Sequence, residues 1–149
     1  MKKTILFIAL LLSLISFEAR PASSSCFWGY CGGKVTGEFG SKKTGKGAIY
    51  IPAEISKLYQ GKTISVVKVG LAAMAKNVKV FITKDLNGEN TITKTAGMLY
   101  NGWNEVKLSS NYTIDGEPFY IGYSYEGDNL SMGRSDMYSE NGCWADLGD

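Results

Sequence analysis

Histidine is absent from the chain. With it go Ser-His and Cys-His nucleophilic catalysis and the usual zinc sites, all of which rely on an imidazole as base or ligand. Proline is scarce, at 3 residues, and no repeat or low-complexity tract occurs, so the composition is not that of a disordered linker. An excess of one charge is missing too. The 16 basic residues face 14 acidic ones for a formal net charge of +2, which leaves no electrostatic footprint for nucleic acid. Carboxylates remain, but a glycosidase needs two of them across a cleft, and no pair stands at alternating positions of one strand; Glu126 and Asp128 straddle a glycine. The expectation is a protein that is not an enzyme and uses no cofactor.

Long hydrophobic runs are limited to one. Lys2 and Lys3 precede an apolar stretch over 5–17, broken only by Ser13 and Ser16, and Glu18 and Arg20 close it. A cationic start followed by a short apolar core describes a secretory signal peptide. The run falls short of the roughly 20 apolar residues that a membrane-crossing helix needs. Small residues at Ala22, Ser24 and Ser25 offer several cleavage points. The expected division is a signal peptide and flexible leader over 1–25 and one β-sandwich domain over 26–149, located outside the cytoplasm, either secreted or on the outer cell surface. A domain of about 125 residues buries enough of its surface to be stable alone. The chain stops at Asp149 straight after an expected strand, as the front part of a longer protein would.

Cysteine is sparse and odd in number: Cys26, Cys31 and Cys143. Export places them where a pair closes and one is left over. A bridge from Cys31 to Cys143 ties the first strand region to the last and contributes about 4 to 5 kcal/mol in the chain-entropy model. Cys26 is then the spare, and its place just after the leader makes it a candidate for lipid attachment, the one membrane contact expected. Against that, Ser23-Ser24-Ser25 lacks the aliphatic residue of a lipobox. A loop from Cys26 to Cys31 is the alternative pairing.

What the sequence does have is 18 glycines, 9 tyrosines and alternation. From Lys34 onward apolar residues recur at every second position, and each run ends in glycine, asparagine or aspartate. Strands are expected at 35–39, 47–51, 63–71, 78–82, 103–108, 119–126, 130–134 and 143–147, with 72–77 as a connection. One short helix is expected at 52–59: Pro52 suits the first helical position, Glu54 the N-terminal turn, Ile55, Leu58 and Tyr59 an apolar stripe, and Gly61 the stop. Two turns do not hold together in water, so the helix must lie against a sheet. About eight strands with a turn every ten or so residues define an all-β fold, an antiparallel β-sandwich of jelly-roll or similar kind.

Trp28, Tyr30, Trp103, Tyr138 and Trp144 are candidate ligand-binding residues, because a flat aromatic face with a polar edge suits a sugar ring. Trp28 and Trp144 also lie beside cysteines, where they pack against a Cys31 to Cys143 bridge first. Tyr123 and Tyr125 share a strand side with Phe119 and Ile121 and read as core. Two loops are rich in oxygen ligands, 85–90 and the run Glu126-Gly127-Asp128-Asn129. Calcium takes six to eight oxygens, which makes Glu126, Asp128 and Asn129 calcium candidates. Tight turns need the same residue types, and neither loop has EF-hand spacing.

Five segments stand in a telling order: Tyr30-Cys31-Gly32, Gly47-Ala48-Ile49-Tyr50-Ile51-Pro52-Ala53, Lys68-Val69-Gly70-Leu71, Gly102-Trp103-Asn104-Glu105-Val106 and Pro118-Phe119-Tyr120-Ile121-Gly122-Tyr123. Together they resemble a module that recurs in secreted and surface proteins of the Bacteroidetes type. The resemblance implies a jelly-roll β-sandwich used as an accessory or adhesin-like domain, sometimes beside a peptidase domain, with no shared catalytic residues. The function expected is a non-catalytic secreted or surface-attached module that binds a glycan or protein ligand through a loop edge bearing aromatics. The alternative is a structural accessory domain of a larger secreted protein such as a peptidase.

Overall fold

The computed structural model describes residues 29–30, 33–40, 43–135, 139–142 and 144–146. Along them run β1 (Gly37–Phe39), β2 (Thr44–Ile51), α1 (Ala53–Leu58), β3 (Thr63–Leu71), β4 (Ala75–Thr83), β5 (Ile92–Leu99), β6 (Gly102–Thr113), β7 (Phe119–Glu126), β8 (Met132–Arg134) and β9 (Trp144–Asp146). Their pairing is nested. Strand β4 pairs with β5, β3 with β6, β2 with β7 and β1 with β8, all antiparallel, so the chain is one long ribbon folded at its middle. Winding that ribbon brings β4 to β7 and β3 to β8. Two sheets result, β1-β8-β3-β6 and β5-β4-β7-β2-β9. This is a jelly roll with β9 added outside β2, and it is the all-β antiparallel sandwich that the alternation foretells.

The core lies between the sheets and is made by the inward half of each alternating strand. Val67, Val69 and Leu71 of β3, Val106 and Leu108 of β6 and Met132 of β8 meet Val78, Val80 and Ile82 of β4 and Phe119 and Tyr125 of β7. Burying a side chain of this kind contributes about 1.5–3 kcal/mol against leaving it in water. Tyr125 is 2 % exposed and Tyr123 packs partly buried against the same cluster, so both belong to the core. The Tyr125 ring needs space that glycine supplies: a Cβ on Gly45, its cross-strand partner, would lie 2.5 Å from the ring.

The structure departs from the sequence reading in several places. Strand β5 was not expected, because Gly97 and two register shifts against β4 interrupt its alternation. Strand β4 begins at Ala75, which shortens the 72–77 connection to three residues; a bulge with Asn77 at φ 49 breaks the period that marks a strand. Strand β2 begins at Thr44 and β6 runs to Thr113, and among the described residues nine strands form where about eight were expected. In α1, Pro52 is the extended N-cap, at φ −71 and ψ 162, and not the first helical residue. The apolar stripe is also corrected. Ile55 packs on the core, but Leu58 is 75 % exposed and Tyr59 is open, while Pro52 and Ser56 are buried. A helix of six residues presents one narrow face, here the positions 52, 55 and 56, spaced i, i+3 and i+4. Gly61, at φ 80, ends the turn as expected.

The leader over 1–25 and the three cysteines Cys26, Cys31 and Cys143, with the bridge and lipid readings that rest on them, lie outside the described residues. Among the described residues no helix is long and apolar enough to cross a membrane.

Candidate functional site

Strand alternation gives each sheet an outer face, and the two outer faces differ. That of β1-β8-β3-β6 is crossed by the segment before β1. The Thr36 amide donates to the Arg134 carbonyl at 2.8 Å, and the Trp103 indole N–H donates to the Gly33 carbonyl at 3.2 Å. Val35 settles where Gly70 and Gly133 leave room; a Cβ at Gly133 would lie 2.8 Å from a Val35 methyl.

The outer face of the five-stranded sheet is laid out by register. One row reads Asp146, Lys46, Ser124, Lys79 and Thr95 across β9, β2, β7, β4 and β5. At about 4.8 Å between strands this row is roughly 19 Å long. The row below it pairs Trp144, Ala48, Gly122, Phe81 and Thr93, and the next pairs Tyr50, Tyr120 and Thr83. Above it, Thr44 faces Glu126, which faces Lys76.

These rows form a floor with a built-in depression. Ala48 and Gly122 are small, so the Phe81 ring lies low beside them and is only 2 % exposed although it points away from the core. Lys46 crosses above it, with Nζ 5.1 Å from the ring centroid and donating to the Leu86 carbonyl at 2.8 Å. Together these two contacts hold the ammonium over Phe81 of β4, in the row below its own. Tyr50 and Tyr120 stack tilted at 39°, 4.9 Å apart, at the lower edge. At the upper edge the Asn77 side-chain amide donates to Glu126 Oε2 at 2.7 Å. Between these edges lies an open trough of about 240 Å³ bordered by Thr44, Lys46, Asn77, Lys79, Ser124, Glu126 and Asp146. It offers ammonium, amide and hydroxyl donors beside carboxylate acceptors, the mixture that a polyhydroxylated ligand satisfies.

Among the described residues, the aromatic candidates from the sequence stand on different parts of the fold. Trp103 stands on the four-stranded sheet, over Gly70, and is 40 % exposed. Trp144 belongs to β9 of the other sheet, where it faces Ala48 in register. Tyr30 packs partly buried against the core and close to Gly142. Burial pushes its phenol above the ordinary tyrosine value, Glu54 adds to the rise, and a hydrogen bond with the Asn141 side chain opposes it. Trp28 and Tyr138 lie outside the described residues.

The calcium candidates are engaged with protein groups. Glu126 accepts from Asn77, Asp128 lies 3.7 Å from Lys76 Nζ, and the Asn129 carbonyl accepts from Ser131 at 3.1 Å. In the 85–90 loop, Asp85 Oδ1 accepts the Asn87 amide at 2.9 Å and the Asp85 carbonyl accepts from Thr83 at 2.6 Å, which is turn-closing chemistry. Among the described residues no three Cys, Asp or Glu side chains gather as a metal group.

Sequence reasoning missed Lys46, Lys79, Asp146 and Asn77 as site residues. Alternation along β7 does place Tyr120, Gly122 and Ser124 on one side, but which lysines stand next to Ser124 depends on cross-strand register, and alternation within a strand does not supply it. What the fold defines is a class, a jelly-roll sandwich in which the described residues strap one outer face and leave the other, polar one open. Compared with family models, curated proteins and solved structures, the chain finds no match in any of the three.

Proposed function

We propose that the chain is an exported, non-catalytic module that binds a glycan on the outer face of its five-stranded sheet. The observation that carries this reading is the row Asp146, Lys46, Ser124 and Lys79, donor and acceptor groups side by side at a trough that none of the described residues covers. Sugar hydroxyls are donors and acceptors at once, and such a row meets them without a large apolar surface. The Tyr50–Tyr120 pair supports the reading by placing aromatic surface on the same face. The absence of histidine and the cationic, apolar N-terminus support a binding role outside the cytoplasm. The resemblance to Bacteroidetes-type surface modules agrees with it.

The site proposed here is therefore a sheet face and not the aromatic loop edge expected from sequence. The test is retention of the purified protein on an immobilised glycan array, with Ser124→Arg as the control that fills the trough. Wild type retained on a defined glycan class and Ser124→Arg lost from it support the reading. No retention of the folded protein on any glycan overturns it and favours the structural accessory role instead.

A further inference from the structure

We propose that the ligand is a neutral glycan chain of several sugar residues, and that Tyr100 holds one of its rings in a second subsite beyond the trough. The inference rests on the glycan reading above and adds chain length and charge to it.

Charge comes first. The trough carries Lys46 and Lys79 against Glu126 and Asp146, so its formal charges cancel. An acidic polysaccharide would meet two carboxylates in the trough along with the two ammonium groups, and gains no net attraction. A neutral chain needs no net charge and is held by hydrogen bonds to charged and polar groups alike.

Length follows from the register. Between β4 and β5 the pairing jumps from Ala75 with Leu99 to Val78 with Gly97, so Lys76 and Asn77 together stand opposite Met98. Asn77 borders the trough, so Met98 of the next strand stands across from a residue of the trough wall. Ala75 and Leu99 turn inward to the core, which leaves Met98 on the outer side, with Met74 and Tyr100 following at the strand ends. All three are open, and Tyr100, at 62 % exposed, is the most open aromatic ring among the described residues.

An exposed ring on a loose turn has little value for binding, because ordering it costs conformational entropy. Here the turn is clamped. Asn104 Oδ1 accepts the Tyr100 amide at 3.3 Å, and Asn104 Nδ2 donates to the Tyr100 carbonyl at 2.8 Å and to the Gly102 carbonyl at 3.1 Å. Gly102, at φ 93, supplies the backbone turn that this clamp requires. The backbone of Tyr100 is thus held from both sides while its side chain stays exposed, two residues past Met98 at the end of β5.

The experiment is titration calorimetry with a neutral disaccharide and hexasaccharide from the series that the array retains, and with a uronic-acid hexasaccharide. Wild type, Tyr100→Ala and Ser124→Arg are compared, with melting temperatures recorded. Tyr100→Ala should melt with wild type, lose about tenfold in affinity for the neutral hexasaccharide and keep its affinity for the disaccharide. Ser124→Arg should lose both. An unchanged hexasaccharide affinity in Tyr100→Ala, with Ser124→Arg still inactive, overturns the second subsite and leaves the trough reading standing. Tighter binding of the uronic-acid chain than of the neutral one overturns the charge assignment. If wild type binds none of the three, the trough reading fails and this inference fails with it.

Discussion

The Tyr123 hydroxyl donates to the Gly70 carbonyl at 3.1 Å, from the five-stranded sheet to the four-stranded one. It is a polar tie across the core, and it joins the strand that carries Gly122 and Ser124 to the strand beneath Trp103. Removing the hydroxyl while keeping the ring isolates its contribution. Tyr123→Phe should lower stability by about 1 kcal/mol, the usual net value of such a bond. Urea unfolding reads it as a lower midpoint at unchanged slope, and an unchanged midpoint would show that the tie contributes nothing.

Gly122 is a packing position on the open face. A Cβ there would collide with the Gly47 carbonyl, the Phe81 ring and the Ala48 methyl. Gly122→Ala should therefore cost about 1–3 kcal/mol through displacement of backbone and ring. Ser124→Ala, two residues along the same face, should stay within about 0.5 kcal/mol of wild type. Equal stability of the two variants would mean that the floor is softer than its geometry implies.

Ser56 presents the opposite case. It is fully buried on α1, and its hydroxyl finds no partner among the described residues. A buried polar group without a partner is a cost that alanine removes, and alanine is also the better helix former. Ser56→Ala should be neutral or raise stability by up to about 1 kcal/mol. Destabilisation by Ser56→Ala would reveal a hydrogen bond that the fold does rely on.

Lys84 and Asp115 form an ion pair between the ends of β4 and β6. The hydrogen bond from Lys84 holds the Asp115 carboxyl below the ordinary aspartate value, helped by the Glu117 amide. The same bond raises Lys84 above the ordinary lysine value, against the opposing effect of its own desolvation. A depressed carboxyl contributes stability above its unfolded pKa and loses it as pH falls through the folded one; a raised lysine contributes below its unfolded pKa and loses it as pH rises through the folded one. The pair is therefore fully effective between the two ordinary values. Asp115→Asn should flatten the acid limb of the stability-against-pH curve, and only slightly, since both side chains are about half exposed. An acid limb of unchanged slope would remove Asp115 from the account.

The parts of the fold that alternation encodes were legible. Val78, Val80 and Ile82, or Phe119, Ile121, Tyr123 and Tyr125, declare a strand and its inward side from sequence alone. Strand β5 was hidden because Gly97 and the Asn77 bulge break the period on both partners at once. The α1 stripe was misread because a six-residue helix buries one narrow face, and periodicity cannot say which. The site was least legible. Lys46, Ser124 and Lys79 are 33 to 78 positions apart in sequence and meet only through the pairing of β2, β7 and β4. That register is fixed by the whole core packing at once, whereas a tryptophan beside a cysteine draws attention from sequence without saying which sheet it joins.

The central claim is that ligand meets the protein on the five-stranded sheet. Amide chemical-shift mapping of the isotope-labelled protein during titration with the array-retained hexasaccharide tests it most directly. The account predicts the largest shifts at Lys46, Lys79, Ser124 and Glu126, extending to Met98 and Tyr100. Shifts gathered instead around Gly33, Gly70 and Trp103 on the four-stranded sheet would contradict it.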